Sequence, residues 1–333
     1  MAAYGGLPTG EFLADSPFFD SAAPPGRRIC NALALFTKSY NAPLVRFWGT
    51  KEIKDHVQRL LEERGDTLRS AKALDFPAGN GVTSEVLSKL GAQVQAVDLF
   101  PEFFRSRAAP VRRGDLSEDF PLPDSEFDLA ICQEGIEHVG NQDHVFREFS
   151  RVLKPGGTLI ITTPNYSNIK SKLSYLLCES EAFGRIMPPN EFESVWLPEA
   201  KPDSGSKEEA TPSRVYFGHC FLTGFFRLRL FARLAGLELV GVRESRVNTT
   251  SLLYFPFFYP FICLSAWKTK RRFLRKTGQK QLADDLFHWM LSPRLLLENH
   301  LILEFKKRQA EGVRSAASLA SRGDNVSLES FQT

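Results

Sequence analysis

Two aspartates and a short glycine-containing loop are the residues of this chain whose types and spacing favour binding of a small ligand. The loop Asp75-Phe76-Pro77-Ala78-Gly79-Asn80-Gly81 follows a short apolar strand and precedes a helical pattern. Its glycines permit unusual dihedral angles and a close approach to a ligand, and the following helix offers unpaired N–H groups at its start. Asp98 ends the next predicted strand, 23 residues after Asp75, where a carboxylate can accept hydrogen bonds from both hydroxyls of a ribose.

This loop has two other interpretations. An ordinary strand-to-helix turn contains glycines for the same steric reason. A dinucleotide-binding loop needs a third glycine, and Ser84 stands at that position, so the G-x-G-x-x-G pattern is not met. The carboxylate of Asp75 would repel a pyrophosphate but would tolerate a positively charged ligand. The residues alone leave an ordinary turn and a site for a cationic ligand open.

Two histidines are candidates for a general base, because an imidazole exchanges its proton near neutral pH. His138 follows the predicted strand Phe127–Cys132, and ligands sit at the carboxyl ends of strands in open α/β sheets. His219 precedes the predicted helix Phe221–Ala235, for which Thr223 is the expected N-cap. Each histidine also has a structural alternative, since His138 can pack or cap a short helix and His219 can satisfy a loop carbonyl. The H-E-x-x-H spacing is absent, so we expect no metal.

Strands and helices alternate from residue 72 onward, which predicts a parallel sheet with helices on both faces. The further predicted strands are Ala73–Asp75, Gln93–Asp98, Thr158–Thr162, Leu237–Val242 and Leu301–Phe305. The further predicted helices are Arg27–Tyr40, Thr50–Glu63, Ser84–Leu90 and Gln142–Leu153. We divide the chain into a disordered N-terminus (1–26), N-terminal helices with the ligand-binding core (27–165), a lid insertion (166–218), the rest of the core (219–308) with a Phe-rich and basic insertion (246–297), and a disordered tail (309–333).

Composition excludes several classes of protein. The chain is 43% hydrophobic and 24% charged, as an ordinary globular protein is, and its net charge of +3 does not demand a nucleic-acid partner. Its five cysteines are far apart and form no CxxC pair, which argues against a disulfide framework or a zinc ribbon and for a reducing compartment. Residues 1–25 lack the features of a signal peptide. We therefore expect a cytoplasmic protein.

A phenylalanine-rich stretch stands out in the second half of the chain. Leu252–Trp267 is apolar over 16 residues but contains Pro256 and Pro260, so we predict that it is too short and too broken to span a membrane. Six cations follow it: Lys268, Lys270, Arg271, Arg272, Arg275 and Lys276. Two interpretations stay open, a lid over the ligand pocket and a peripheral membrane contact through residues 252–276.

Residues 72–165 resemble class I S-adenosylmethionine-dependent methyltransferases. The resemblance rests on four motifs in order: Asp75 with Gly79 and Gly81, then Asp98, then Gly114-Asp115-Leu116, then Leu153-Lys154-Pro155-Gly156-Gly157. It implies a Rossmann-like α/β fold, a three-layer α/β/α sandwich whose seven-stranded, mostly parallel sheet has an antiparallel last strand. The one departure is Pro77, where the family most often has glycine, and it concerns the detailed shape of the loop.

The same resemblance implies a role for each site residue. S-adenosyl-L-methionine would be the cofactor, with its methionine end at the loop residues Asp75, Pro77, Ala78, Gly79 and Gly81. Asp98 would hold the ribose, and Leu99, Asp115 and Leu116 would surround the adenine. Residues 132–139 are similar to the fourth motif of small-molecule O-methyltransferases, which often ends in Glu-His. In that arrangement Gln133 and Glu134 line the cofactor and His138 faces the acceptor.

The acceptor is the least determined part of the function. Residues 163–173 resemble bacterial methyltransferases that are found with cell-surface polysaccharide and glycolipid genes, which implies O-methylation of a sugar or a lipid-linked saccharide of the envelope. A quinone or other hydrophobic metabolite is the alternative acceptor, and a non-catalytic S-adenosylmethionine-binding protein is a further one. The Asn/Asp-Pro-Pro-Tyr signature of nucleic-acid amino-methyltransferases is absent after Phe127–Cys132, so we expect no nucleic-acid partner.

Overall fold

The computed structural model describes residues 53–178, 195–196, 216–217 and 221–309. His219, the predicted helix Arg27–Tyr40, the N-terminus 1–26 and most of the predicted lid and tail lie outside the described residues. The predicted division into domains stays a prediction.

A seven-stranded sheet forms the centre of the described structure. Its strands in chain order are β1 (Lys72–Asp75), β2 (Gln93–Asp98), β3 (Val111–Arg113), β4 (Phe127–Gln133), β5 (Leu153–Pro164), β6 (Leu237–Arg243) and β7 (His300–Lys307). The spatial order is β3-β2-β1-β4-β5-β7-β6. The pairings among β1 to β5 are parallel, and β7 runs antiparallel to both β5 and β6. This confirms the predicted fold, including the antiparallel last strand.

Helices cover both faces of this sheet. They are α1 (Ile53–Arg64), α2 (Val82–Lys89), α3 (Gln142–Val152), α4 (Ile169–Cys178), α5 (Phe225–Leu234), α6 (Thr249–Thr277), α7 (Lys280–Met290) and α8 (Pro293–Leu297). Val57 and Leu61 of α1 and Leu87 of α2 share one apolar cluster with the sheet, whereas Phe149 of α3 and Phe225 of α5 belong to the cluster on the other face. The result is a three-layer α/β/α sandwich.

Helix α3 shows how the sequence pattern produces this packing. Val145, Phe149 and Val152 recur at helical spacing and are fully buried, as the sequence predicts. Neighbouring Phe146 meets Phe305 of β7 edge-to-face, with ring centroids 5.7 Å apart. Truncation of a phenylalanine at such a position costs about 3–5 kcal/mol, because it leaves a cavity as well as lost burial.

The predicted break in the phenylalanine-rich stretch is wrong. Helix α6 runs without interruption for 29 residues, through both Pro256 and Pro260. Both prolines are exposed, so the carbonyl groups that lose their N–H partners lie toward solvent rather than in the core. Among the described residues, α6 is the helix long and apolar enough to cross a membrane by length and composition.

The predicted N-cap of α5 is also wrong. The helix begins at Phe225 with Gly224 as its N-cap, and the hydroxyl of Thr223 donates to the carbonyl of Phe221 instead. The first backbone N–H of the helix, that of Phe225, donates to Oγ of Ser167 at 2.9 Å. A side chain distant in sequence therefore replaces the local cap.

Candidate active site

The carboxylate of Asp98 fixes the shape of the glycine loop. Asp98 ends β2, beside β1, and its Oδ2 accepts a hydrogen bond from the N–H of Gly79 at 2.7 Å. Its Oδ1 accepts from the N–H of Phe100 at 2.8 Å. Each carboxylate oxygen has a second lone pair, so both can still accept from the hydroxyls of a ligand.

The two glycines of the loop have different surroundings. Gly79 has φ +54° and no atom within 4 Å of the position that a Cβ would occupy, so the loop is open to a ligand there. Gly81 has φ +87°, and a Cβ would lie 2.6 Å from Cβ of Ser106 and 2.8 Å from the ring of Phe104. Gly81 is therefore required by both backbone conformation and close packing.

Asp75 is buried, and only one of its two carboxyl oxygens accepts a hydrogen bond from the described residues. Its Oδ2 accepts from Oγ of Ser84 at 2.6 Å, whereas Oδ1 is buried and has no hydrogen-bond partner among the described residues. Burial raises the pKa of Asp75 to about 7, the hydrogen bond from Ser84 opposes that rise, and the charge of Asp98 adds to it. A buried carboxylate oxygen without a donor marks a position where a donor or a positive charge would be stabilised.

The predicted adenine-binding residues follow β3. The N–H of Gly114 donates to the carbonyl of Asp98 at 3.0 Å, which ties this segment to the end of β2. Oδ1 of Asp115 accepts from both the N–H and the hydroxyl of Ser117 at 2.7 Å, so Asp115 also stabilises a turn. Leu116 is buried and Leu99 is half-buried.

The end of β4 packs against the glycine loop. A Cβ on Gly135 would lie 2.6 Å from Cδ of Pro77 and 3.0 Å from Cδ1 of Leu116, so these three residues lie close together. Oε1 of Gln133 accepts from the hydroxyl of Thr83, which lies in the first turn of α2, at 2.9 Å. The structure thus brings the predicted residues at the ends of β1, β2 and β4 to one edge of the sheet.

Glu134 directly follows β4, contacts residues of β5 and β7, and has a constrained backbone. Its φ is +49°, which is uncommon for a residue with a side chain. Its N–H donates to the carbonyl and to Oγ1 of Thr162, both at 3.1 Å, and the Thr162 hydroxyl donates to Oε1 of Glu134 at 2.8 Å. Oε2 of Glu134 lies 3.6 Å from Nε2 of His300, the first residue of β7.

His138 is half-buried on a short 3₁₀ turn, Ile136–His138, directly after β4. Its neighbour Glu137 is fully buried and accepts from the hydroxyl of Thr163 at 3.0 Å. The N–H of Phe221 donates to the carbonyl of Glu137 at 3.0 Å, so the exposed aromatic ring of Phe221 is held beside this turn.

His300, Thr162 and Ser84 are site residues that the sequence reasoning missed. His300 belongs to the antiparallel strand, so the start of that strand lies at the same edge as the ends of the parallel strands. The predicted antiparallel direction of the last strand contained that signal. Ser84 was considered only as a missing glycine, although a hydroxyl at the start of α2 can reach a carboxylate at the end of β1.

The residues present fit S-adenosylmethionine. An open glycine loop, a carboxylate at the end of β2 and a buried, unsatisfied carboxylate oxygen suit a ligand that carries ribose hydroxyls and positive charge. Among the described residues there is no group of three or more histidine, cysteine, aspartate or glutamate side chains that could hold a metal ion.

Residues 74–161 match a family model described as "Methyltransferase domain". Similar proteins include the "Ubiquinone biosynthesis O-methyltransferase" of Xanthomonas oryzae pv. oryzae (strain PXO99A), 32% identical over 130 residues, which cover 36% of this chain and 54% of that protein. The protein of the same name from Xanthomonas axonopodis pv. citri (strain 306) is 30% identical over 143 residues, covering 40% of this chain and 57% of that protein. The matched region thus spans little more than half the length of these relatives.

Among solved structures, an S-adenosylmethionine-dependent methyltransferase from Mesorhizobium loti aligns with 76% of this chain and 100% of its own, at 15% identity and a TM-score of 0.42. The fold assignment does not depend on that likeness, because the strand order and the direction of β7 establish it. With the family match, we conclude that residues 74–161 form a methyltransferase domain, in a sheet with the strand order of class I S-adenosylmethionine-dependent methyltransferases.

Proposed function

We propose that this protein transfers the methyl group of S-adenosylmethionine to a hydroxyl group of a hydrophobic ring compound of the quinone type. The observation that supports methyl transfer is the buried carboxyl group of Asp75 with its unpartnered oxygen, beside an open glycine and the carboxylate of Asp98. Such a site favours a cationic ligand with hydroxyl groups over a pyrophosphate.

The choice of acceptor has two supports. The relatives named above carry the name of an O-methyltransferase of ubiquinone biosynthesis, which favours the quinone over the predicted sugar. The exposed ring of Phe221, held beside the turn that carries His138, also offers a surface for an apolar ring.

The segment that suggested a sugar has a structural explanation. Nδ2 of Asn165 donates to the carbonyls of Leu295 and Glu298, and Nδ2 of Asn168 donates to the latter at 2.9 Å. These bonds tie the segment after β5 to α8 and to the residue that follows it, and Ser167 caps α5. Asn165, Ser167 and Asn168 thus have structural roles, which weakens this segment as support for a saccharide.

When bound, S-adenosylmethionine supplies a methyl group on a positively charged sulfonium, so no metal is needed for transfer. The protein orients the acceptor hydroxyl and removes its proton. We assign proton removal to His138 or to His219, the latter outside the described residues. His300 adds a third imidazole at this edge, and the carboxylate of Glu134 would stabilise its protonated form.

Two measurements on the purified chain test this function. Calorimetry with S-adenosylmethionine tests the site, and transfer of labelled methyl to a catechol with an apolar tail, against a hexose glycolipid, tests the acceptor. Methylation of the glycolipid alone would contradict the proposed acceptor. Binding without turnover on either, unchanged in His138→Ala, would favour a non-catalytic S-adenosylmethionine-binding protein. We further propose a cytoplasmic location with peripheral contact to the inner face of the membrane, which fractionation of cells expressing the tagged chain tests.

A further inference from the structure

Helix α6 has one face that packs on the protein and another that does not. The packed face carries Ser251, Phe255, Tyr259 and Ala266, at intervals of four or seven residues, and all four are buried. Helices α4, α7 and α8 lie against α6. Because these four residues pack on the rest of the protein, we expect α6 to lie along a surface rather than to cross a membrane.

The opposite face of α6 is apolar in its first half. Leu253, Phe257, Phe261 and Leu264 follow each other at helical spacing, and they are 67%, 67%, 71% and 50% exposed. The described residues thus leave two phenylalanines and two leucines in water along about 17 Å of helix. A lid that buries these side chains over the pocket, which the sequence had left open, does not agree with this exposure.

The second half of the same face is basic. Lys268, Arg271, Arg272 and Arg275 are all exposed, and Trp267 at the junction stacks with Arg271, whose guanidinium lies 4.7 Å from the ring centroid. Helix α6 contains no aspartate or glutamate. The nearest acidic residue of α7, Asp284, forms an ion pair with Lys270 on another side of the helix.

An open groove of about 340 Å³ lies between side chains of α6 where the two halves meet. Phe261 and Leu264 line one part of it, and Lys268 and Arg272 line another. Apolar and cationic side chains in one groove fit a molecule that has both an apolar chain and a negatively charged head.

From this arrangement we propose that α6 is an interfacial helix that docks the protein on an anionic lipid surface. The first half of its exposed face inserts Phe257 and Phe261 among the acyl chains, and the cations of the second half bind the lipid headgroups. Charge complementarity favours a lipid surface over a second copy of this chain. The exposed face of α6 carries four cations and no acidic residue, so two identical faces would repel each other, whereas anionic headgroups would attract them. The inference goes beyond methyl transfer and does not depend on it.

The test is co-sedimentation of the full chain, without cofactor or acceptor, with two kinds of vesicle. One is phosphatidylcholine alone, and the other contains 3 parts phosphatidylcholine to about 1 part phosphatidylglycerol. We expect binding to the anionic vesicles and little to the neutral ones. Arg272→Gln with Arg275→Gln should weaken binding about thirtyfold, since each cation near an anionic surface contributes about fivefold.

Matched variants distinguish binding through α6 from binding that depends only on the protein's overall charge or hydrophobicity. Arg112→Gln with Arg113→Gln removes the same charge from exposed residues of β3, and should leave binding within about twofold. Phe257→Ala should weaken binding more than Phe103→Ala, which removes another exposed phenylalanine. Circular dichroism checks that each variant is folded.

Two results would overturn the proposal. One is equal binding to both kinds of vesicle, or equal losses in the α6 and β3 charge variants. The other is a dimer in sedimentation velocity that Phe257→Ala converts to monomer, which would show that a second copy covers this face. Neither readout involves methyl transfer, so a failure here is distinct from a failure of the proposed function.

Discussion

Binding of S-adenosylmethionine should release a proton from Asp75. In the free protein, burial raises the pKa of this carboxyl group to about 7, so it is largely protonated below neutral pH. A positively charged ligand bound at the glycine loop near Asp75 favours the ionised carboxylate through its charge, and the pKa in the complex must then fall. A group that binds a proton in the free state and loses it in the complex makes the affinity rise with pH until the free group is ionised.

The size of the effect follows from that pKa. With a free pKa of about 7, roughly 0.9 of the molecules carry the proton at pH 6 and roughly 0.1 at pH 8. If Asp75 is ionised in the complex at both pH values, Kd for S-adenosylmethionine should be about tenfold larger at pH 6 than at pH 8. The same linkage predicts release of about 0.9 proton per binding event at pH 6.

Calorimetry in buffers of different ionisation enthalpy measures both quantities. Asp75→Asn is the control, because the amide keeps the shape and can still accept from Ser84 but has no proton to release. Any titration of the ligand itself is common to both proteins, so the difference between them reports on Asp75. Identical pH dependence and proton release in wild type and Asp75→Asn would refute the reasoning.

Three further predictions concern other parts of the site. Asp98→Ala should raise Kd for the cofactor about 30-fold or more, because charge-assisted hydrogen bonds contribute about 1.5–3 kcal/mol, and calorimetry measures it. Gly81→Ala should lower the free energy of unfolding by about 1–3 kcal/mol more than Gly236→Ala in chemical denaturation. Both glycines have positive φ, but only at the first would the added Cβ meet a neighbour; equal losses would contradict this. If His138 is the base, His138→Ala should reduce kcat in a methyl-transfer assay about 10²–10⁴-fold, and His300→Gln should reduce it less. A larger loss in His300→Gln would show that His300, not His138, is the base.

The fold and the cofactor loop could be predicted because their signals are local. Asp75 and Asp98 each end a strand, and parallel strands bring their carboxyl ends to one edge, so a one-dimensional pattern fixed the neighbourhood of both residues. The same logic was available for His300, because the resemblance implied an antiparallel last strand. The predicted strand began at Leu301, one residue too late, so His300 was not placed at this edge of the sheet.

The two wrong predictions, the N-cap of α5 and the break in α6, concern features that depend on contacts between residues distant in sequence. Ser167 accepts from the first N–H of α5 across 58 residues, which no local capping pattern reveals. Helix α6 continues through two prolines because its buried face, Phe255 and Tyr259 among others, is held by neighbouring helices while the prolines face solvent. Propensity predicts a break there, and tertiary packing overrides it.

The two proposals meet at the start of α6. The N–H of Asn248, the N-cap of this helix, donates to the carbonyl of Leu297 at 2.7 Å, and its Nδ2 donates to Oδ1 of Asn299 at 2.7 Å. His300 follows directly and opens β7 at the edge of the sheet where the site lies. The apolar half of α6 therefore begins beside the candidate active site, and its basic half extends away from it. A protein docked on lipid through α6 would hold this edge near the surface, where a hydrophobic acceptor is dissolved. Vesicles that contain the acceptor should then lower its KM for wild type more than for Phe257→Ala.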